Sequence, residues 1–320
     1  MALPEVDVTI NPALVPSPTV EINDVSKWFG QKVAVSNVTC SFGPGVTGLL
    51  GPNGAGKTTM LRMLTGLLRP SRGGVRVLDA EPRSHPSVYE NVGLVPEEAA
   101  VYPGMTAREY VRYAAVLNGT EKPDSAARRA IGLVRLEDAA DRKLGGYSKG
   151  MRQRAKVAAA LISNPEILLL DEPLNGTDPV QRLHLIDLFR EFGADGRTVI
   201  VSSHVLEEVE RVSDRVIAIV DGKLAAAGDV AAIRRAMSDI PYQVRVETDR
   251  SRVLAARLLE ESLVHGVSVD DGTLIVETAD LAALGRRVPV VARDAGAKLT
   301  MFQPQDASLE SVFRYLVGKR

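Results

Sequence analysis

The chain has 320 residues, with 39 Lys or Arg against 40 Asp or Glu and a formal net charge of −1. That length suffices for two domains and a sizeable core, and the balanced charge gives no global pull toward nucleic acid. Its one cysteine, Cys40, excludes an intramolecular disulfide and a Cys-rich metal site, and no apolar run approaches the ~18 residues that a bilayer-spanning helix needs.

In chain order, Pro4, Pro12, Pro16 and Pro18 make residues 1–18 an expected extended or mobile tail, without the charged and apolar regions of a signal peptide. Val20 to Val25 and Val35 to Phe42 alternate apolar and polar residues, as antiparallel strands do. Cys40 reads there as a small apolar strand residue, not a reactive thiol. Val46 to Leu50 is an apolar strand, and Thr59 to Leu67 has helical spacing. Between them stands Gly51-Pro52-Asn53-Gly54-Ala55-Gly56-Lys57-Thr58-Thr59. This run fits G-x-x-x-x-G-K-[ST] at every fixed position, in the strand–loop–helix setting the motif requires. The glycines let the backbone N–H groups curl around phosphate oxygens. Lys57 then reaches the β- and γ-phosphates, the Thr58 hydroxyl can ligate Mg²⁺, and the helix turns its positive end toward the same anion. The chain is therefore expected to bind a nucleoside triphosphate.

Val75 to Leu78 and Val92 to Val95 read as short strands. From Thr106 to about Leu144 the pattern is helical, with Thr106 and Glu109 forming a capping box and Asp124 to Leu133 a further helical stretch. Lys149 to Ile162 is a helix with an alanine-rich middle. Ile167 to Leu170 is an apolar run suited to a buried parallel strand, which delivers Asp171 to the ligand-binding end of the sheet. Asp171 can hold Mg²⁺ there. Glu172 faces differently because strand side chains alternate, and it is placed to polarise a water for attack on the γ-phosphate. Val180 to Phe192 is helical and Thr198 to Ser202 is the next buried strand, so the centre is an α/β parallel sheet. Beyond Ala225 come a short helix, Val230 to Met237, and Pro241. Then follow strand Tyr242 to Glu247, helix Arg252 to Glu260, strands Val267 to Val269 and Thr273 to Glu277, helix Leu281 to Ala295 and strand Lys298 to Gln303. That order suggests a ferredoxin-like sandwich, closed by a last helix, Leu309 to Val317. His265 lacks a ligand set and reads as a solvated residue before a turn.

With these residues in hand, the chain resembles the nucleotide-binding subunit of an ATP-binding cassette (ABC) transporter over roughly residues 20 to 230. Tyr147-Ser148-Lys149-Gly150-Met151-Arg152-Gln153 resembles the family's signature motif, Asn175-Gly176-Thr177-Asp178 its D-loop, and His204 its switch histidine. Phe29 sits where the family stacks an aromatic on adenine. The resemblance implies a fold of phosphate-loop cassette type, α/β, with an antiparallel β subdomain and an α-helical subdomain at about 104–164. It divides the chain into a tail (1–18), a nucleotide-binding domain (19–238) and a C-terminal accessory α+β domain (239–320). It implies that ATP and Mg²⁺ bind, that Thr58, Glu97 and Asp171 hold the metal, and that Lys57, Glu172 and His204 carry the hydrolysis. Tyr147 to Met151 would face the ATP of the opposite subunit, a second copy or a paired cassette, with Asp178 in the D-loop, so that two ATPs join two chains head-to-tail.

The chain departs from the family at Lys149, which replaces a glycine, at Asn175 and Thr177, which replace the usual Ser and Leu, and at Glu97, which stands where the family has a glutamine. A glutamate there could ligate Mg²⁺ more strongly yet repel the phosphates. Gln305 to Tyr315 resembles the tail of drug- and antibiotic-export ATPases. The implied function is ATP hydrolysis that powers a separate membrane permease from the cytoplasmic face, exporting a drug, antibiotic, lipid or other small molecule, with no nucleic acid as partner. A soluble ABC ATPase acting on ribosomes or nucleic acid is the alternative, although this chain has one cassette, no coiled-coil or zinc insertion and no basic stripe. A small-molecule kinase or GTPase fits poorly with the signature and His204.

Overall fold

The computed structural model describes residues 13–98, 101–229, 241–270 and 272–304. The expected helices Val230 to Met237 and Leu309 to Val317, the stretch Gln305 to Tyr315 and most of the tail lie outside the described residues. The chain divides into two compact units, Met1–Val230 and Ala231–Arg320.

Two sheets build the first unit. β1 (Val20–Phe29), β2 (Lys32–Phe42) and β4 (Arg72–Val77) pair antiparallel in the order β2-β1-β4. The second sheet joins β3 (Gly45–Leu50), β5 (Val92–Val95), β6 (Ile167–Asp171), β7 (Thr198–Ser203), β8 (Arg215–Val220) and β9 (Lys223–Asp229) in the order β5-β6-β7-β3-β8-β9. Its strands run parallel except β9, which lies antiparallel to β8.

Every residue of β6 is buried. Ile167 and Leu169 pack with Leu49 and Ile200 against Met60, Met63 and Leu64 of α1 (Lys57–Leu64) and against Val20 and Phe42 of the antiparallel sheet. Leu168 and Leu170 enter the opposite core, with Leu185 and Phe189 of α5 (Pro179–Ala194). A strand covered on both faces must be apolar throughout, which is why this segment shows no alternation. The second core continues into α2 (Ala107–Leu117), α3 (Pro123–Leu133) and α4 (Lys149–Ala160) through Val111, Ala127, Ile131, Ala155 and Val157. Thr106 caps α2 as expected: its Oγ1 accepts from Glu109 N at 3.1 Å, and Glu109 Oε2 accepts from Thr106 N at 2.8 Å.

β1 runs on to Phe29, past the Val25 at which its alternation stops. The register with β2 shifts between Ile22 and Val25, where Asp24 has φ 48° and donates its N–H to Thr39 Oγ1 at 2.9 Å. A bulge throws the following residues out of phase, so a period-two reading ends early although the strand does not. Helix α6 (Leu206–Val212) and strands β8 and β9 are elements that the sequence reading did not contain.

The second unit runs β10 (Tyr242–Thr248), α7 (Ser251–Leu259), β11 (Val264–Asp270), β12 (Thr273–Thr278), α8 (Leu281–Asp294) and β13 (Leu299–Pro304). The strands pair antiparallel in the order β11-β12-β10-β13, the sheet of a ferredoxin-like sandwich. Val244, Val246, Leu274 and Val276 pack on Leu254, Leu258, Leu284 and Val288 of the two helices.

Cys40 lies buried in β2, and burial pushes its thiol from 9.0 up to about 12, with the charge of Arg215 opposing. Above about pH 9 the unfolded chain releases a proton that the native chain keeps. Stability should therefore fall as pH rises between those two values, by about 1.4 kcal/mol per pH unit. Urea unfolding at rising pH should show a slope steeper by that amount in the wild type than in Cys40→Ala, since the tyrosines and lysines that titrate in the same range are common to both. Equal slopes, or rapid alkylation of native Cys40 by iodoacetamide below pH 9, would contradict this placement.

Candidate functional site

The loop between β3 and α1 turns at Gly56, where φ is 107° and a Cβ would come within 2.5 Å of Ala34 O. Only glycine tolerates both conditions. Lys57 opens α1 with its side chain turned inward. It is 5% exposed, and its Nζ donates to Gly51 O at 2.6 Å and to Pro52 O at 3.2 Å. Phe29, residues 53–59, Glu97 and Glu172 line one cleft of ≈ 310 Å³, together with Lys32 and Ala34. Gly51 and Pro52 contribute their carbonyls to Lys57 instead of lining it. Phe29 stands half exposed at this cleft, with Lys27 Nζ 5.0 Å from its ring centroid.

The carboxylates arrive from β6. Asp171 is paired in register with Ser202 of β7, whose Oγ donates to Asp171 Oδ1 at 2.6 Å and accepts from Glu172 N at 3.0 Å. Strand alternation does not direct Glu172. Its φ of 48° ends the strand and brings Oε1 to 3.4 Å from Lys57 Nζ. Glu172 Oε2 lies 3.0 Å from His204 Nδ1 and accepts from Asn175 Nδ2 at 3.4 Å. Glu172 Oε1 is buried with no hydrogen-bond partner.

Glu97 follows the end of β5, with its side chain exposed in the cleft wall. Partial desolvation there, then the negative charges of Asp171, Glu172 and Glu98, push its carboxyl up from its ordinary value, with Lys57 opposing. Its backbone is held from the other side, where Lys156 of α4 donates from Nζ to Pro96 O at 3.0 Å and to Glu97 O at 2.9 Å. Among the described residues no group of three or more His, Cys, Asp or Glu side chains forms a metal cage by itself. The donors here are the Thr58 hydroxyl and carboxylates whose mutual repulsion a cation would relieve. With substrate phosphates completing the shell, that set fits Mg²⁺.

The signature residues stand outside the lining of this cleft. Ser148 caps α4, its Oγ accepting from Met151 N at 3.1 Å, and Ser148 and Lys149 are exposed. Gly150 is buried against the D-loop, and a Cβ there would stand 2.8 Å from Gly176 O. Tyr147 turns into the core, where its hydroxyl donates to Ala139 O at 2.6 Å, and Met151 packs on the same core. Asp178 is the N-cap of α5, with Oδ1 accepting from Gln181 N at 3.0 Å. His265 is exposed in β11. Sequence reasoning missed Ser202, Asn175 as a contact of Glu172, and Lys156. A hydroxyl inside an apolar strand and a lysine inside an alanine-rich helix were the available signals.

The ABC transporter family model matches residues 35–175. The uncharacterized ABC transporter ATP-binding protein YxlF of Bacillus subtilis is 31% identical over 299 residues, covering 92% of this chain and 98% of the relative. The daunorubicin/doxorubicin resistance ATP-binding protein DrrA of Streptomyces peucetius is 32% identical over 310 residues, covering 95% of this chain and 93% of the relative. Among solved structures, the dimeric post-hydrolysis state of the ATP-binding cassette MJ0796 bound to ADP and Pi is similar with a TM-score of 0.61 and 25% identity, over 66% of this chain and 98% of that one.

Ser202 serves two buried groups at once, so Ser202→Ala should leave Asp171 Oδ1 and Glu172 N short of a partner. The expected cost is about 1–3 kcal/mol in urea unfolding with an unchanged m value. A wild-type midpoint would mean that the hydroxyl bridge carries no weight.

Proposed function

The chain belongs to the ABC transporter ATP-binding family, and on that premise we propose that it is the ATPase subunit of an exporter whose membrane-spanning permease is a separate chain. Among the described residues no helix is long and apolar enough to cross a membrane. Relatives named for daunorubicin/doxorubicin resistance and for Nod factor export each match this chain over 95% of its length, which supports export of a small molecule. A protein partner in the membrane, rather than nucleic acid, fits the formal net charge of −1.

The roles follow from the site. Lys57 would turn from Gly51 O, Pro52 O and Glu172 to the β- and γ-phosphates. The N–H groups of residues 53–59 would cradle the same anion, and Phe29 would stack on adenine. Glu172 would then be free to take a proton from an attacking water through Oε1, the buried oxygen without a hydrogen-bond partner. His204 would hold the other oxygen. Thr58, Asp171 and Glu97 would hold Mg²⁺, which when bound neutralises developing charge on the phosphates. The observation that carries the dimer is the exposed N-terminus of α4. Ser148 and Lys149 present an anion-binding helix end that lines no part of the chain's own cleft, so a second copy's ATP is its natural occupant.

Glu172→Gln should bind ATP and lose about 10²–10⁴-fold in kcat. Trp28, the chain's one tryptophan, adjoins Phe29 and should report ATP binding by its fluorescence. Size-exclusion chromatography with ATP should show a nucleotide-dependent dimer of Glu172→Gln. Hydrolysis near the wild-type rate would remove Glu172 as the base. A monomer at saturating ATP would remove the head-to-tail pairing. Purification of the chain from solubilised membranes should bring down a polytopic membrane protein, and its consistent absence would overturn the exporter reading.

A further inference from the structure

Lys156 is a cation where the fold gives it little reason to be. It sits in the interior of α4 at 8% exposure, among Ala155, Val157 and Ala158, which are fully buried. Burial pulls its ammonium below the ordinary lysine range, Glu97 and Asp171 opposing that fall and Lys149 adding to it. A lysine is seldom buried so far without a partner. Its hydrogen-bond partners here are two main-chain carbonyls, Pro96 O at 3.0 Å and Glu97 O at 2.9 Å. Such charge-assisted bonds hold backbone firmly.

Those carbonyls lie just past Val95, where β5 and its ladder to β6 end. The side chain borne by the second of these residues is that of Glu97, in the wall of the phosphate cleft, and the like charges of Asp171 and Glu172 act on it. Repulsion of that kind drives a carboxylate on a free loop outward into water. A clamp on its main chain resists that drift. The same lysine belongs to the helix whose first turn carries Ser148, so it ties the signature helix to the segment bearing Glu97.

We propose that Lys156 is a positioning residue: by clamping the main chain at Pro96 and Glu97 it holds the Glu97 carboxylate at the cleft, where a divalent cation bound with the nucleotide would meet it. This rests on the reading of Glu97 as a metal-holding group. Lys156 does not line the phosphate cleft, so it would act through Glu97 alone.

The test is a double-mutant cycle on the full chain, read by Trp28 fluorescence as the ATP dissociation constant with and without Mg²⁺. Lys156→Met keeps the aliphatic stem and removes the three donors. It should weaken ATP binding in Mg²⁺ by about tenfold, the effect of losing a residue that orients a ligand, and leave Mg²⁺-free binding unchanged. Lys156→Arg should retain most of the wild-type affinity. In a Glu97→Ala background, Lys156→Met should add nothing further. Equal weakening with and without Mg²⁺, additive losses in the double variant, or no loss at all would each overturn the proposal. If Lys156→Met lacks the wild-type circular dichroism, Lys156→Leu, which also keeps apolar bulk and has no donor, carries the same cycle. A wild-type chain whose ATP affinity ignores Mg²⁺ would overturn the metal-site reading itself, and the proposal with it.

Discussion

A buried cation and a buried carboxylate, Lys57 and Glu172, organise the first unit. Both side chains are nearly removed from solvent, at 6% and 4% exposure, and stand 3.4 Å apart. Either charge alone in that position would be costly, because removing one partner of a buried pair leaves an uncompensated ion. The fold therefore has to bring two distant segments to one point. β3 and the following loop carry Lys57, and β6 carries Glu172. Their meeting requires parallel strands whose carboxyl ends lie side by side, with β7 between them. An ion pair that substrate can take apart is also a switch of partners. On the proposed reading the phosphates and Glu172 would compete for the same ammonium, which would link nucleotide entry to release of the proposed base.

The rest of the site follows from register. The two cores on either side of the central sheet fix the faces of β6, through Ile167 and Leu169 on one side and Leu168 and Leu170 on the other. With that phase set, Asp171 falls opposite Ser202, and one hydroxyl steadies both acidic residues. A slip of one residue between β6 and β7 would remove Ser202 from both contacts at once. Packing energy in the cores thereby sets the chemistry at the strand ends. The left-handed backbone at Glu172 completes the arrangement, since an extended residue there would follow the strand's alternation.

Much of this was legible in the residues. The phosphate loop declares itself because close backbone approach demands glycine and a lysine at set positions. Buried parallel strands declare themselves as short apolar runs. The βαββαβ order of the second unit could be read because its strands alternate and its turns carry Asp or Gly. Three features were not legible. β1 beyond Val25 was hidden by the bulge at Asp24, which breaks the period without ending the strand. β9 passes through the alanine-rich Lys223–Asp229, whose composition favours no single element, whereas β8, Arg215–Val220, is a β-branched apolar run of the legible kind that the reading passed over. Ser202 acts through contacts across 30 or more residues, Lys156 through carbonyls that no side-chain pattern records, and Asn175 through a three-residue turn whose shape depends on the left-handed backbone at Glu172. Local pattern reading sees periodicity and motif spacing. It does not see which polar side chain a distant backbone will need.

The central claim is that Lys57 exchanges Glu172 for the triphosphate. Calorimetric titration of Lys57→Ala with ATP, on protein whose circular dichroism matches the wild type, tests it most directly. The loss of a charge-assisted bond contributing about 1.5–3 kcal/mol should weaken binding roughly 10- to 100-fold. An unchanged affinity would contradict the account, because the phosphates would then bind somewhere that Lys57 does not reach.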